Sequence, residues 1–383
     1  MKSLIFGYGL TGQSFDRHLT KQDIQFDIFD IKKVNHPQAF NELPNKEKLN
    51  SYEMVYLSPG INIRKLYPNR EFDQINYLTD LDIFFEQDNS YKIGITGTNG
   101  KSTCCFHLNI LLGHSQILGN FGTPLLDNIN SGKTFSVIEL SSFQLEKMHT
   151  NALDLGVLLN IFPDHIDHHG SFEAYQKSKE RIYECKNHTN ERDPFNLYKI
   201  ITGKEYDGKY CQGEYNIRLD EYITPMLPRL PHRLEELTGL MGEKKINLHI
   251  INDSKSTNLA SLQYALRIKL FGRDFSYLIL CGDPSKEQYK NFILNDVDVV
   301  YIFGKHANEI NQNFLHPNKK IFRSIHQVLM EIRSSTIQRN KRRGKKGGVV
   351  LFSPGHPSGG DYRNFEERGD HFKKLVKEIF LND

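Results

Sequence analysis

The sequence predicts an α/β protein of three domains, at residues 1–89, 90–228 and 229–383, each built on a mostly parallel sheet. Three observations predict this fold class. An apolar run at 2–6 leads into a glycine-rich turn at 7–12, and a second run at 92–95 leads into a loop that ends in Gly-Lys-Ser-Thr at 100–103. After residue 230, strand-like and helical runs alternate, which is typical of doubly wound sheets.

Length and composition limit the classes of function. A chain of 383 residues can form two or three domains. The net charge of +3, with 25% charged residues, gives no electrostatic reason to expect a nucleic-acid or membrane partner. Apolar stretches are only strand-sized, and the N-terminus lacks a signal-peptide cleavage site. The 5 scattered cysteines form no CxxC pair, which favours reduced thiols in the cytoplasm.

The first domain opens on Gly7-Tyr8-Gly9-Leu10-Thr11-Gly12. Residues 2–6 predict a strand, a helix is predicted to about Thr20, and Phe26–Phe29 predict a second strand that ends at Asp30. This is the Rossmann-like fingerprint, and it fits a dinucleotide or any other nucleotide diphosphate. A strand at 54–57 stops at Ser58-Pro59-Gly60, which is either a ligand-binding turn or a structural one. Residues 86–90 are interpreted as a linker.

The central domain is organised around the stretch Ile95-Thr96-Gly97-Thr98-Asn99-Gly100-Lys101-Ser102-Thr103. A strand is predicted before it and a helix at 104–112 after it, so backbone N–H groups would converge at a helix start, where phosphate binds. Lys101 is placed to reach terminal phosphates, and Ser102 a Mg²⁺ ion. Ile95 stands where the strict pattern has glycine. We interpret the stretch as a nucleotide phosphate site, with a surface turn as the alternative.

Acidic and imidazole groups follow this loop. Glu139 ends a strand predicted at 135–138, a position that suits a Mg²⁺ ligand. The segment Asp164-His165-Ile166-Asp167-His168-His169 follows an apolar run at 155–161, and it suggests metal binding, although such spacings are common in loops. A helix is predicted from Ser171, as its N-cap, to Cys185. Lys177, Lys179 and Arg181 are predicted to lie on its solvated face.

The rest of the chain divides at about residue 230. Residues 186–226 lose periodicity and are predicted to form short strands joined by turns. Beyond them, strands are predicted at 248–251, 277–281, 299–303, 320–323 and 349–352, and helices near 259–269, 307–313, 326–339 and 368–380. This alternation predicts a second doubly wound sheet. The basic run 341–346 is interpreted as a solvated loop rather than a nucleic-acid patch.

Seven motifs, in this order along the chain, resemble those of the Mur ligases that build peptidoglycan. The motifs are Ile95–Thr103, Gly119–Pro124, Glu139–Glu146, Asn160–Asp167, Leu230–Glu235, Asn252–Asn258, and Ser353-Pro354 with Asn364–Asp370. The third and the last point to the D-glutamate-adding branch. The resemblance implies Rossmann-like N- and C-terminal domains on either side of a P-loop ATPase-like central domain.

The resemblance also implies an activity. It implies a cytoplasmic, monomeric ATP-dependent ligase that uses about two Mg²⁺ ions and joins D-glutamate to UDP-N-acetylmuramoyl-L-alanine through an acyl phosphate. The ATP-binding residues implied are Thr98, Asn99, Gly100, Lys101, Ser102, Thr103, Asn216, Arg233, Asp253 and Lys255. Those implied for the two other substrates are Thr11, Asp30, Ser58, Gly60, Asn120, Ser141, Thr257, Ser358 and Phe365. Ser102, Glu139, His165 and Lys179 would ligate metal, and Lys101, His165 and Lys179 would be catalytic, with Lys179 carbamylated by CO₂.

The sequence departs from this family's pattern in several places, among them a one-residue insertion that the segment Gly282–Lys286 requires. The central domain is short between Glu184 and Leu230, and Tyr215 and Leu219 replace a histidine and an asparagine of the adenine-binding segment. The loop at 353–360 also differs. Two alternatives follow: a non-catalytic Mur-like protein that binds nucleotide sugars, and a ligase of altered amino-acid specificity. An NAD-linked oxidoreductase is suggested only by the glycines at 7, 9 and 12.

Overall fold

The structure is a computed structural model that describes residues 2–206, 227–237, 248–269, 275–286, 290–343 and 348–380. These residues form two compact units, Met1–Pro228 and Arg229–Asp383. The first unit contains two five-stranded sheets and the second a six-stranded sheet, and most strand pairs are parallel. The predicted α/β fold class is thus confirmed. The predicted division of the first unit at residues 89 and 90 stays a prediction.

The first sheet has the strand order β3-β2-β1-β4-β5, and all its pairs are parallel. Its strands are β1 (Ser3–Phe6), β2 (Phe26–Phe29), β3 (Ala39–Phe40), β4 (Val55–Leu57) and β5 (Tyr77–Leu78), and its helices are α1 (Leu10–Lys21), α2 (Lys46–Asn50), α3 (Ile63–Leu66) and α4 (Asp80–Gln87). The linker predicted at 86–90 is partly wrong, because α4 extends to Gln87. A capping box of Thr79 and Asp82 starts this helix, and Leu81 and Phe84 bury its apolar face.

The second sheet has the order β10-β9-β6-β8-β7, again all parallel. Its strands are β6 (Tyr91–Thr96), β7 (Ser115–Gly119), β8 (Phe135–Glu139), β9 (Leu155–Leu158) and β10 (His188–Thr189), and its helices are α5 (Lys101–Leu112), α6 (Ser142–Lys147), α7 (Ile166–His169), α8 (Phe172–Glu180) and α9 (Pro194–Thr202). Strand β6 pairs with β8 on one side and β9 on the other. The carboxyl ends of these three strands therefore adjoin, at the edge where α/β sheets bind ligands.

Two predictions for this region need correction. The segment after residue 186 contributes one short strand, β10, and then a helix, α9, because Asp193 caps its N-terminus and Pro194 occupies its first position. Residues 207–226, predicted to form short strands, lie outside the described residues. The solvated face predicted for α8 is correct for Lys177, which is exposed, but wrong for Lys179, of which only 2% is exposed. The Arg181 guanidinium is partly covered and donates to the backbone carbonyls of α6.

The second unit has the strand order β11-β12-β18-β13-β15-β17, with β11 antiparallel and the other pairs parallel, and a separate parallel pair β14-β16. The strands are β11 (Glu235–Glu236), β12 (Leu248–Asn252), β13 (Ser276–Cys281), β14 (Phe292–Ile293), β15 (Val299–Phe303), β16 (Phe314–Leu315), β17 (Lys319–Phe322) and β18 (Gly348–Gly355), and the helices are α10 (Leu259–Lys269), α11 (Ala307–Asn313), α12 (Ile325–Arg343) and α13 (Phe365–Phe380). The loop predicted for 341–346 is wrong in its first half, because α12 extends to Arg343. Within the described ranges, no helix has the length and apolar composition that crossing a bilayer requires.

Candidate functional site

The loop between β6 and α5 has the backbone shape of a phosphate cradle. Gly100 has a φ of +87°, in the left-handed region that glycine tolerates, and it directly precedes the first residue of α5. A Cβ atom on Gly97 would lie 3.1 Å from the Leu159 Cβ atom and 3.3 Å from the Asn160 nitrogen, so this position also favours glycine. Ser102 and Thr103 lie half-buried in the first turn of α5. The free N–H groups and positive dipole end of the helix are therefore presented at this loop.

The loop is fixed by residues that follow β9 and by α8. Asn160 accepts from the Asn99 N–H at 3.0 Å through its side chain, and from the Thr98 N–H at 3.0 Å through its carbonyl. The Thr98 hydroxyl lies 2.9 Å from the Tyr175 hydroxyl and also accepts from the Phe162 N–H at 2.9 Å. No role was predicted from the sequence for Asn160 or Tyr175. Asn160 opens the Asn160–Asp167 motif, which was the available signal, whereas Tyr175 has no distinctive spacing from the loop in the sequence.

Two lysines meet at one carbonyl of this loop. Lys101 Nζ donates to the carbonyls of Gly97 at 2.8 Å and Thr98 at 3.0 Å. Lys179 Nζ donates to the same Gly97 carbonyl at 2.8 Å and to the Thr96 hydroxyl at 3.3 Å. Burial lowers the pKa of Lys179 well below its ordinary value, and the charge of Lys101 lowers it further, against the opposing effect of the Asp164 and Glu139 carboxylates. Burial and the charge of Lys101 therefore both disfavour the protonated form of this amine.

Glu139 lies beside the loop with one carboxylate oxygen unpaired. It ends β8 opposite Ile95 of β6, and only 2% of it is exposed. Its Oε1 atom accepts from Asn120 Nδ2 at 2.7 Å, whereas Oε2 is buried without a hydrogen-bond partner in the described part of the chain. A desolvated carboxylate oxygen without a donor is costly, so it fits a bound cation. Glu139 and Asn120 are thus brought together as neighbours at the sheet edge.

His165 occupies a strained position at the start of α7. Its φ is +52°, its Nε2 atom lies 3.8 Å from Asp164 Oδ2, and its ring packs edge-on against Phe143 with centroids 4.9 Å apart. Among the described residues, the one set of three His, Cys, Asp or Glu ligand atoms within 4.8 Å of one another is Glu146, His168 and His169. This set includes neither Glu139 nor His165. The histidine-rich segment therefore splits, with its last two residues joining Glu146.

The edge of the first sheet holds four of the residues predicted to bind the UDP-linked substrate. Asp30 accepts from the backbone N–H groups of Tyr8 at 2.7 Å and Lys32 at 2.8 Å, and the Ser58 hydroxyl donates to the Gly7 carbonyl at 2.7 Å. These contacts shape the two turns. Thr11 is half-buried in α1 and Gly60 is exposed. Two large apolar side chains stand beside them in solvent, Leu10 with 76% and Ile31 with 60% exposed.

Helix α6 lies next to both sheets of this unit. Ser141 is its N-cap and forms a capping box with Gln144, so the predicted substrate-binding hydroxyl also stabilises the first turn of the helix. At the other end, buried Lys147 donates to the Pro59 carbonyl at 2.6 Å. Burial lowers the pKa of Lys147 to about 8. The helix therefore connects the Ser58–Gly60 turn to the end of β8.

The second unit groups most of the other predicted residues. Lys255 Nζ lies 4.1 Å and Arg233 Cζ 5.7 Å from the centre of the Phe365 ring. Asp253 accepts from the Ser353 hydroxyl at 2.8 Å, and burial raises its pKa to about 7. Two further predicted residues, Thr257 and Ser358, are half-buried, and Asn216 lies outside the described residues.

A buried arginine that sequence reasoning missed organises this group. Arg368 has no exposed surface, and its guanidinium donates to the Ser254 carbonyl at 2.7 Å, the Ser254 hydroxyl at 3.0 Å and the His356 carbonyl at 3.0 Å. The Ser254 hydroxyl in turn donates to the Phe365 carbonyl at 2.8 Å. Arg368 thus fixes Phe365 and the residues next to Asp253. Its place in the Asn364–Asp370 motif was the available signal.

Comparisons with known proteins place these features in one family. Residues 95–207 match the family model described as the Mur ligase middle domain. The UDP-N-acetylmuramoylalanine–D-glutamate ligase of Buchnera aphidicola is 31% identical over 446 residues, covering 99% of this chain and 98% of the relative. The enzyme of the same name from Francisella tularensis subsp. holarctica is 28% identical over 424 residues, covering 99% of this chain and 96% of the relative. Both alignments are longer than this chain of 383 residues, so the relatives contain segments that it lacks.

Solved structures show the same fold at low identity. MurF ligase from Thermotoga maritima, solved in complex with ADP, aligns with a TM-score of 0.54 and 14% identity, covering 99% of this chain and 95% of that one. MurF from Acinetobacter baumannii aligns with a TM-score of 0.51 and 11% identity, covering 99% and 90%. These likenesses concern the fold alone.

Proposed function

The chain belongs to the Mur ligases, in the family of the UDP-N-acetylmuramoylalanine–D-glutamate ligases, and from this premise we propose that it joins D-glutamate to UDP-N-acetylmuramoyl-L-alanine at the cost of ATP. One observation carries the proposal. The phosphate loop, the half-paired Glu139 carboxylate and the buried Lys179 amine all lie at the adjoining carboxyl ends of β6 and β8. This is the combination that ATP-driven activation of a carboxylate requires.

The phosphate loop is proposed to hold the ATP phosphates. The backbone N–H groups of residues 98–103 would bind phosphate oxygens, and Lys101 would exchange its contacts with the Gly97 and Thr98 carbonyls for the terminal phosphates. Arg233, Asp253, Lys255 and Asn216 are proposed to contact ATP as well. Lys101 would then neutralise the charge that builds up as the γ-phosphoryl group is transferred.

The residues near the loop fit a divalent cation. Glu139 Oε2 is buried and unpaired, Ser102 is half-buried at the first turn of α5, and His165 follows β9 on the same edge. We propose that Mg²⁺, expected as two ions, would be held by Ser102, Glu139, His165 and carbamylated Lys179. When bound, Mg²⁺ would supply positive charge that makes the phosphoryl group a better electrophile.

Lys179 is proposed to be carbamylated. Only an unprotonated amine attacks CO₂, and burial makes the neutral form of Lys179 accessible. The amine nitrogen forms a bond to the CO₂ carbon and loses one proton, which leaves a carbamate of charge −1. This change would convert a buried base into an oxygen ligand that matches the hard Mg²⁺ ion.

The acceptor substrate, UDP-N-acetylmuramoyl-L-alanine, is proposed to bind along the first unit. Its uridine diphosphate would bind at Thr11, Asp30, Ser58 and Gly60, where exposed Leu10 and Ile31 offer an apolar surface for the uracil ring. Its reactive end would bind near Asn120 and Ser141. With this assignment the glycine turn at 7–12 would bind a nucleotide sugar, so it does not require a nicotinamide cofactor.

The proposed reaction has two steps. A carboxylate oxygen of the acceptor attacks the γ-phosphorus of ATP and releases ADP, which gives an acyl phosphate. The amine of D-glutamate then attacks the acyl carbon, loses a proton and expels phosphate. Thr257, Ser358 and Phe365 are proposed to bind D-glutamate, and Lys101 and the loop N–H groups would stabilise the negative charge in both steps. We propose a cytoplasmic, monomeric enzyme.

The proposal is tested by turnover of purified protein. We expect phosphate release and a product of the correct mass only when UDP-N-acetylmuramoyl-L-alanine, D-glutamate, ATP and Mg²⁺ are all present. A panel of other amino acids, each in place of D-glutamate, tests specificity and the altered loop at 353–360. If phosphate is released with none of the amino acids in the panel, the ligase proposal is contradicted.

A second candidate function is non-catalytic binding of the nucleotide sugar. The longer alignments with the relatives favour it, because this chain lacks segments that they contain. Calorimetry separates the two candidates. ATP binding, with or without the acceptor, supports the ligase, whereas acceptor binding without any ATP binding supports the second candidate.

A further inference from the structure

Three side chains of the first unit form a compact ligand set outside the proposed Mg²⁺ site. Glu146 lies on α6, and His168 and His169 lie on α7. The Oε2 atom of Glu146 is 3.1 Å from His168 Nε2 and 3.8 Å from His169 Nδ1, and one ligand atom of each residue lies within 4.8 Å of the others. We propose that these three residues bind a divalent transition-metal ion of the Zn²⁺ class. The proposal does not depend on the ligase activity.

The distances from Glu146 Oε2 to the two imidazole nitrogens match the size of such an ion. Zn²⁺ binds nitrogen and carboxylate oxygen at about 2.0–2.2 Å in tetrahedral sites, so neighbouring ligand atoms lie roughly 3.4 Å apart. The distances of 3.1 and 3.8 Å from Glu146 Oε2 lie on either side of that value. Small side-chain rotations would therefore complete the set. Three protein ligands with water in the fourth position is a common Zn²⁺ arrangement.

The surroundings of His169 orient its ligand atom. Its side chain is fully buried, and its Nε2 atom lies 3.0 Å from the Ser142 hydroxyl. An Nε2–H group that donates to this hydroxyl leaves the lone pair on Nδ1, which faces Glu146. The Ser178 hydroxyl is 3.4 Å from Nδ1, a longer contact that an ion can displace. Phe143 stacks on the ring at 5.6 Å with an interplanar angle of 16°, which restricts its rotation.

Arg64 sets the direction of the Glu146 carboxylate. Its NH2 atom lies 2.9 Å from Glu146 Oε1, the oxygen that does not face the histidines. The arginine thus leaves Oε2 for the ion. Its side chain is 69% exposed, so it can also move away, but its positive charge weakens the attraction of the site for a cation.

The ligand types separate this site from the proposed Mg²⁺ site. Two imidazoles and one carboxylate favour Zn²⁺, Ni²⁺ or Cu²⁺, whereas Mg²⁺ prefers oxygen ligands in octahedral geometry. Helix α7 begins directly after His165. An ion that joins α7 to α6 would therefore limit the movement of the segment that carries His165.

A simpler interpretation is a hydrogen bond between His168 and Glu146 with no role for metal. The experiment is calorimetric titration of the full chain with Zn²⁺ in excess Mg²⁺. Because the chain has 16 histidines, weak binding elsewhere must be subtracted, and His188→Ala, which removes an exposed histidine on β10, is the matched control. We expect one Zn²⁺ ion to bind tightly per chain, both in the wild type and in His188→Ala.

Variants of the ligand set decide between the two interpretations. Loss of a residue that only supports a metal ligand costs about 10–100-fold in affinity, and loss of a direct ligand should cost more. We therefore expect His168→Ala and Glu146→Gln to lower the Zn²⁺ affinity at least about 100-fold. Arg64→Gln should bind Zn²⁺ as tightly as the wild type or more tightly. Circular dichroism checks that each variant is folded. Folded His168→Ala with wild-type affinity, or a wild type with no tight equivalent, would overturn the proposal.

A spectroscopic readout identifies the ligands directly. Co²⁺ in place of Zn²⁺ should give the intense visible absorption of a four-coordinate site in the wild type and in His188→Ala. His168→Ala should lose this absorption. If the spectrum is that of hydrated, six-coordinate Co²⁺ in all three proteins, the proposed site does not exist.

Discussion

Replacement of Lys179 separates its chemistry from its structural contribution. Only 2% of the residue is exposed, and within the described part of the chain its amine donates hydrogen bonds to the Gly97 carbonyl and the Thr96 hydroxyl. Lys179→Met keeps the aliphatic volume but cannot form a carbamate. Lys179→Ala leaves a space at the same place. Lys177→Met, two residues earlier on the exposed side of α8, is the matched control.

The structure sets the expected magnitudes. Lys179→Met loses two hydrogen bonds worth about 1 kcal/mol each. Because burial lowers the pKa of Lys179, the unfolded chain binds a proton that the folded chain releases, so stability rises as pH increases toward the unfolded pKa. The lysine therefore lowers stability at neutral pH, and its removal offsets the lost hydrogen bonds. We expect a net change within about 1.5 kcal/mol for Lys179→Met and a loss of about 2–5 kcal/mol for Lys179→Ala.

Turnover is expected to respond differently from stability. Loss of one preorganised charge-stabilising group typically costs about 10²–10³-fold in rate, so both Lys179 variants should fall at least that far while Lys177→Met stays at the wild-type rate. Formate or acetate should partly restore Lys179→Ala, which has room for a carboxylate, and not Lys179→Met. Carbon-13 NMR with labelled CO₂ should show a carbamate in the wild type and in Lys177→Met, and in neither Lys179 variant. Wild-type turnover in folded Lys179→Met would refute the reasoning.

Three further predictions follow from single side chains. Lys101→Ala should reduce turnover at least about 10³-fold in a phosphate-release assay, because the cation that would reach the terminal phosphates is lost; a retained rate would contradict the role of the loop. Glu139→Gln should raise the Mg²⁺ concentration needed for half-maximal turnover, and an unchanged Mg²⁺ dependence would exclude Glu139 as a ligand. Burial raises the pKa of Asp80 to about 7, so the folded state keeps a proton that the unfolded state releases, and stability should fall by up to about 4 kcal/mol as pH rises from 4 to 7. Thermal unfolding measured at pH 4 and 7 should show this decline in the wild type and not in Asp80→Asn, whereas an equal decline in the variant would show that another group causes it.

Local patterns in the sequence predicted much of the fold. Strand β2, strand β15 and helix α11 begin and end at the predicted residues, because short apolar runs between turn residues determine them. Ser171 is the N-cap of α8, as predicted, and its side chain accepts from the Ala174 N–H. The strand, glycine turn and helix around residues 95–103 were equally predictable, since all three are contiguous in the chain; phosphate binding there stays a prediction.

Tertiary contacts limited the prediction of the site. Glu146 and His168 are 22 positions apart, and they meet because α6 and α7 both lie beside α8. The burial of Lys179 was not predictable from periodicity, because a lysine in a polar helix is expected at the surface whatever its tertiary surroundings. Asn160 likewise reaches Asn99 only through the pairing of β6 with β9. The adenine-binding prediction at Asn216 stays a prediction.

The contact between Lys147 and the Pro59 carbonyl bears on which acceptors can be used. Two further contacts join the same parts of this compact unit: Arg17 NH2 lies 2.6 Å from Asp127 Oδ2, and the Tyr77 hydroxyl donates to the Lys147 carbonyl at 3.1 Å. With the Lys147 contact, they connect the first sheet to the second. The span from the Ser58–Gly60 turn to the phosphate loop is then set before any ligand arrives. A nucleotide-linked acid whose carboxylate lies too near to its diphosphate, or too far from it, would be bound at one end and left unactivated at the other. Selection by molecular length would thus precede selection by the amino acid.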